Sequence, residues 1–131
     1  MANKTEISTI EAPQALGPYS QGIVTGELFF ISGQIGLIPQ TGELIEGGLS
    51  SQTHQVLDNI EAICSAAGTR LQHIVKLTIY LTDLSQFDLI NQLMQNRFQA
   101  PYPARATVEI SALPKNALVE IEAVAAIPAG G

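Results

Sequence analysis

Between residues 51 and 67 the apolar positions recur at helical spacing. Val56, Leu57, Ile60, Ile63, Cys64 and Ala67 form one stripe, and Gly68 stands where a helix stop requires φ > 0. Ser50 or Ser51 is the expected cap. At 73–83, HIVKLTIYLTD, the period drops to two. Val75, Leu77, Ile79 and Leu81 share one face of a strand, with Ile74, Lys76, Thr78, Tyr80 and Thr82 on the other. A second helix is expected at about 84–98, from Leu84, Phe87, Ile90, Met94 and Phe98. ARATVEI and ALVEIEAVAAI are two further strands, linked by SALPKNA. Nearer the front, IVTGELFFISG (23–33) reads as a hairpin turning at Thr25-Gly26-Glu27. TEISTI (5–10) alternates weakly, as an edge strand would. EAPQALGPYSQG (11–22) reads as an ordered loop, and residues 39–42 as a second turn.

The predicted order is β-β-α-β-α-β-β, with doubtful short strands at the front. Two βαβ crossovers imply partly parallel pairing and right-handed connections, which can set both helices on one face of a single sheet. The other face then lacks a cover. Either it is wet, as antiparallel sheets allow, or copies of the chain pack these faces together.

Composition favours the second of these. Apolar residues make up 46% of the 131 residues and charged residues only 14%, a lightly charged surface. The length suits one domain spanning 1–131. A net charge of −6 with scattered cations lacks the footprint of a nucleic-acid binder. One cysteine cannot form an internal disulfide, which points to a reducing compartment. No signal peptide or membrane span is legible, so a cytoplasmic protein is expected. Only the PAGG end lacks a pattern.

Most familiar chemistry is missing. His54 and His73 have no partners at metal spacing, so no metal site is expected. Cys64 lies on the apolar helix stripe and reads as core. No GxGxxG, P-loop or Ser/His/acid signature occurs. Arg105 remains, sharing a strand face with Thr107 and Glu109 behind a Pro103-Ala104 lead-in. A guanidinium held there suits a small carboxylate, although a solvated strand-end arginine has the same sequence. Glu120, on the polar face of the last strand, can orient or deprotonate a water near such an arginine, or sit in a structural ion pair. Tyr19, in GPYSQG, can cover a ligand or pack on the sheet.

GPYSQG, SGQIG, GGLSSQTHQVLDNIEAICSAAG, IVKLTIYLTDLSQF and YPARATVEISALPKNALVEIEAVA together resemble the YjgF/RidA family of reactive intermediate/imine deaminases, from about residue 5 to residue 127. The resemblance implies a chorismate-mutase-like α/β (α+β) fold. It also implies a homotrimer whose sheets surround a barrel-like core, with active sites between subunits. The implied reaction is hydrolysis of 2-imino acids or their enamines, such as 2-aminoacrylate/2-iminopropanoate and 2-iminobutanoate, to 2-keto acids and ammonia, without a cofactor. By position, Arg105 matches the carboxylate-binding arginine, with its backbone carbonyl toward the imine nitrogen, and Glu120 the acid that organises water. Tyr19 matches the aromatic lining, Ser32 and Gly33 the loop reaching the ligand across the subunit boundary, and Asn91 an asparagine near the cleft. Thr107 stands where many members have cysteine, and GQIG replaces the commoner GQIP. Two other classes compete: a non-catalytic small-carboxylate binder or regulator, and an RNA-cleaving protein or translation inhibitor, which the charge disfavours.

Overall fold

In the computed structural model, which describes residues 3–129, one six-stranded sheet carries two helices. The strands are β1 (Thr5–Ile7), β2 (Gly22–Thr25), β3 (Leu28–Gln34), β4 (Ile74–Leu81), β5 (Ala104–Glu109) and β6 (Val119–Ala126). The helices are α1 (Gly48–Ala66) and α2 (Phe87–Arg97). The last two residues of the PAGG end lie outside the described residues.

Sheet order is β1-β2-β3-β6-β4-β5. β2 and β3 form the expected hairpin, and Gly26, at φ 57, supplies the left-handed turn residue. β4 and β5 are parallel, joined through α2, and β6 runs antiparallel between β3 and β4. That order leaves α1 and α2 on the same face, where they contact each other.

Their apolar stripes close one core. Val56, Leu57, Ile60, Ile63 and Cys64 of α1 meet Phe29 and Ile31 of β3, Leu77 and Ile79 of β4, Ile121 and Ala123 of β6, and Ile90 and Met94 of α2. On the opposite face, Leu28, Phe30 and Val108 are 42%, 45% and 41% exposed. The helix-free face expected from topology is present in the chain.

Three local expectations need correction. Neither Ser50 nor Ser51 caps α1: the helix starts at Gly48, ahead of both serines, behind Gly47 at φ 113 with no side-chain cap. In β4 the register shifts between Ile74 and Lys76. This bulge buries Ile74 and leaves Val75 exposed, because the inserted residue reverses the strand's alternation. The second helix begins at Phe87, after a 3₁₀ turn at Leu84–Gln86, and Leu84 and Phe87 stay exposed rather than joining the core stripe.

Candidate active site

The residues singled out by sequence fall into two groups, on opposite faces of the sheet.

The first group surrounds Arg105. β5 is an edge strand, and Arg105 sits beside Leu77 of β4 on the helix-covered face. Phe87 and Asn91 stand one turn apart on α2, so both reach the same guanidinium. Arg105 donates a hydrogen bond to Oδ1 of Asn91, and its Cζ lies 5.5 Å from the Phe87 ring centroid. Burial pulls its pKa below the ordinary arginine value. Among the described residues the one ion pair is Arg97 with Asp58, at 2.9 Å. Arg105 is therefore a half-buried cation whose protein partners are neutral, which leaves its donors open to an anion. Beside it a cleft of about 360 Å³ opens between α2 and the β4–β5 edge, floored by Leu77 and Phe98. Thr107 follows on the same face, with its hydroxyl buried and unpartnered.

The second group surrounds Glu120. It pairs with Tyr80 across β4 and β6, so its side chain leaves from the helix-free face. The ladder between β3 and β6 slips between Ile31 and Gln34, a bulge that brings Gly33 against the Glu120 side chain. A Cβ on Gly33 would meet Glu120 Cδ at 2.9 Å and Oε2 at 3.1 Å. Burial, followed by the charge of Glu122, pushes the Glu120 pKa up. Tyr80 holds Glu122 by donating its hydroxyl to Oε1 at 2.7 Å.

Tyr19 reaches this second group on the 11–21 loop, which the sheet fastens at defined points. Ser32 donates its backbone N–H to the Gln21 carbonyl at 2.9 Å and its hydroxyl to the Ser20 carbonyl at 2.5 Å. The buried Gln21 amide accepts from the Thr9 N–H at 2.7 Å and donates to the Pro13 carbonyl at 2.9 Å. Tyr19 accepts a hydrogen bond from the Leu16 N–H and, with Gly33, Gln34, Pro114 and Glu120, lines a small depression. The Ser32 hydroxyl thus anchors the loop that carries Tyr19.

Within one chain the two groups do not meet. Arg105 is level with Ala123 on β6, two strands away, and Glu120 is three residues further along on the other face. The separation is about 10 Å across the strands and a similar distance along them.

Two other expectations concern inert residues. Burial pushes the Cys64 thiol up to about 12, too high for a thiolate nucleophile. Among the described residues no three His, Cys, Asp or Glu side chains gather as metal ligands, and no helix is long and apolar enough to cross a membrane.

The resemblance places Asn91 of α2 near the cleft, where it meets Arg105; what the sequence does not reveal is Phe87, which reads as part of the core stripe yet lies against the Arg105 guanidinium. The i, i+4, i+7, i+11 spacing of Phe87, Asn91, Met94 and Phe98 carried the signal. The Tyr80–Glu122 hydrogen bond was legible only as strand parity.

The family described as Endoribonuclease L-PSP matches residues 9–127. A RutC family protein of Pyrococcus horikoshii is 48% identical over 122 residues, covering 93% of this chain and 97% of its own. The human 2-iminobutanoate/2-iminopropanoate deaminase is 43% identical over 119 residues, 91% of this chain and 87% of its own. The crystal structure of RidA from an Antarctic Psychrobacter superposes with a TM-score of 0.91 at 47% identity, over 94% of this chain and 99% of that one.

Proposed function

The chain belongs to the YjgF/RidA family, and on that premise we propose that it hydrolyses 2-imino acids and their enamine tautomers to 2-keto acids and ammonia. The observation that carries the reading is Arg105, a half-buried cation with only neutral partners beside an open cleft.

The substrate carboxylate takes the free donors of Arg105, bidentately. The imine carbon is already electrophilic, more so when its nitrogen is protonated, so the enzyme supplies position and electrostatics. Glu120, made more basic by its burial and by the neighbouring Glu122 charge, takes a proton from the attacking water. The new C–O bond gives a tetrahedral carbinolamine, whose nitrogen gains a proton and leaves as ammonia as the carbonyl forms. One water is consumed and one ammonia released for each keto acid.

Arg105 and Glu120 cannot act on one small acid from the same chain, because the sheet lies between them. A second copy resolves this by presenting its Tyr19, Gly33 and Glu120 to the Arg105 cleft. The exposed Leu28, Phe30 and Val108 face favours such packing. We assign the assembly to a homotrimer with intersubunit sites and a chorismate-mutase-like subunit.

The endoribonuclease description of the family is a different activity. The net charge of −6 with six dispersed cations offers RNA no phosphate track. Nuclease activity that copurifies with the chain and survives Arg105→Ala would revive it.

The test generates 2-aminoacrylate with a dehydratase and follows pyruvate while semicarbazide competes for the imine. Wild type should outpace buffer, Arg105→Ala should abolish the gain, and Arg105→Lys should recover little. A wild type no faster than buffer removes the catalytic reading. Binding of a 2-keto acid without turnover would make the chain a small-acid binder.

A further inference from the structure

Glu120 does not stand alone on its face of β6. Strand parity puts Glu122 on the same side, about 7 Å further along. Tyr80 is opposite Glu120 in the β4–β6 ladder and reaches along to the next row, where its hydroxyl donates to Oε1 of Glu122 at 2.7 Å. The bond fixes where the Glu122 charge sits and, because the donor is neutral, does not cancel it. The phenol is a durable donor: that hydrogen bond raises the Tyr80 pKa, so the hydroxyl keeps its proton. Lys76, beyond Thr78 on the same face of β4, makes no ion pair, since Arg97 with Asp58 is the one such pair among the described residues.

Few other groups act on Glu120. β3 brings Gly33 and its neighbour Ser32, neither titratable, against it. The 11–21 loop brings Tyr19, and the turn before β6 brings Pro114, with Lys115 directed to the Gly42 carbonyl at 3.4 Å. On the deaminase reading above, on which this inference rests, a neighbouring copy's Arg105 also faces Glu120. A guanidinium makes a nearby carboxylate a weaker base, and a second negative charge offsets that. We propose that Tyr80 is a positioning residue, holding the Glu122 carboxylate beside Glu120 so that Glu120 stays basic enough to take a proton from water when Arg105 shares the cleft. The raised pKa of Glu120, from burial first and the Glu122 charge second, agrees in direction.

The experiment follows kcat/KM on 2-aminoacrylate against pH, corrected for the buffer rate at each pH, for wild type, Glu122→Gln, Tyr80→Phe and the double variant. Both substitutions keep the side chain's size, and the shape of a profile does not depend on the fraction of protein folded. On the acid limb Glu122→Gln should exceed wild type by about threefold, the change that a unit charge about 7 Å away makes to an ionisation equilibrium in water-like surroundings. On the plateau it should be slower than wild type, because a weaker base accepts the proton less readily. The two profiles therefore cross. Tyr80→Phe frees Glu122 to turn toward water, so it should shift the limb in the same direction by a smaller factor and add nothing to Glu122→Gln.

Profiles that differ from wild type by one factor at every pH overturn the positioning role while leaving deamination standing. So does a Tyr80→Phe effect that is undiminished in the Glu122→Gln background. A wild type no faster than buffer at any pH defeats the deaminase reading itself, and this inference with it.

Discussion

Replacing Gly33 by alanine adds one methyl group at the point where β3 touches Glu120. The backbone of Gly33 is outside the left-handed region, so alanine is conformationally allowed there. The obstacle is contact: the new Cβ would lie 2.9 Å from Glu120 Cδ and 3.2 Å from Cγ. Carbon atoms prefer about 3.5–4.0 Å, so the carboxylate must retreat by roughly 0.6–1 Å. The obstructing atoms belong to a side chain, so the sheet itself can stay in register. Overpacking costs about 1–3 kcal/mol, while alanine returns about 0.5–1 kcal/mol of chain entropy in a strand. Net stability should fall by no more than about 2 kcal/mol, from the lower half of that overpacking range. Activity is more sensitive, since a displacement near 1 Å costs roughly 100-fold. Gly33→Ala should therefore fold with a Tm within several degrees of wild type and lose about 30- to 100-fold in kcat/KM on 2-aminoacrylate. In a Glu120→Ala background the same methyl group should cost almost no stability, because the clashing atoms are gone. A Gly33→Ala enzyme within threefold of wild-type activity would refute the argument that Gly33 sets the position of the acid.

Other perturbations follow from the same geometry. The Glu120 pKa is raised in the fold, so the ionised form costs stability and wild type should become more stable as pH falls through that range. Glu120→Gln should thus raise Tm at pH 7, with the advantage shrinking as pH falls through the raised folded-state pKa and gone below the ordinary carboxylate range; a gain that persists unchanged in acid contradicts the assignment. Gln21→Leu strands the Thr9 N–H and the Pro13 carbonyl and should cost about 1–3 kcal/mol in urea unfolding, together with a loss of activity through the Tyr19 loop. Ile60→Ala, at a position with no exposure, should cost about 2–5 kcal/mol by the same measurement and leave KM unaltered in the molecules that remain folded.

The long periodic segments were readable from sequence because burial enforces their period. The α1 stripe from Val56 to Cys64 and the buried Leu77, Ile79 and Leu81 of β4 are examples. Places where the ladder slips were not readable. The bulge at Val75 and the slip before Gln34 reverse strand parity, and nothing in local composition marks them. Helix caps failed for a related reason: serines at 50 and 51 were plausible, but Gly47 and Gly48, both at positive φ, begin the turn. For the site, strand parity put Arg105 and Thr107 on one face and Glu120 on the polar face of β6. It could not show that these faces lie on opposite sides of one sheet, because sheet order is a long-range property. The contribution of α2, through Phe87 on Arg105, was hidden because an aromatic at helical spacing reads as core.

The central claim is that one cleft takes Arg105 from one chain and Glu120 from another. Co-expression of differently tagged Arg105→Ala and Glu120→Ala chains, followed by tandem purification of mixed oligomers, tests it directly in the 2-aminoacrylate assay. Each variant alone should be inactive. In a closed ring of three, every mixed trimer pairs an intact Arg105 with an intact neighbouring Glu120 in one cleft of its three, so mixed oligomers should recover about a third of wild-type activity. Mixed oligomers as inactive as their parents would contradict the shared cleft and return both residues to separate roles.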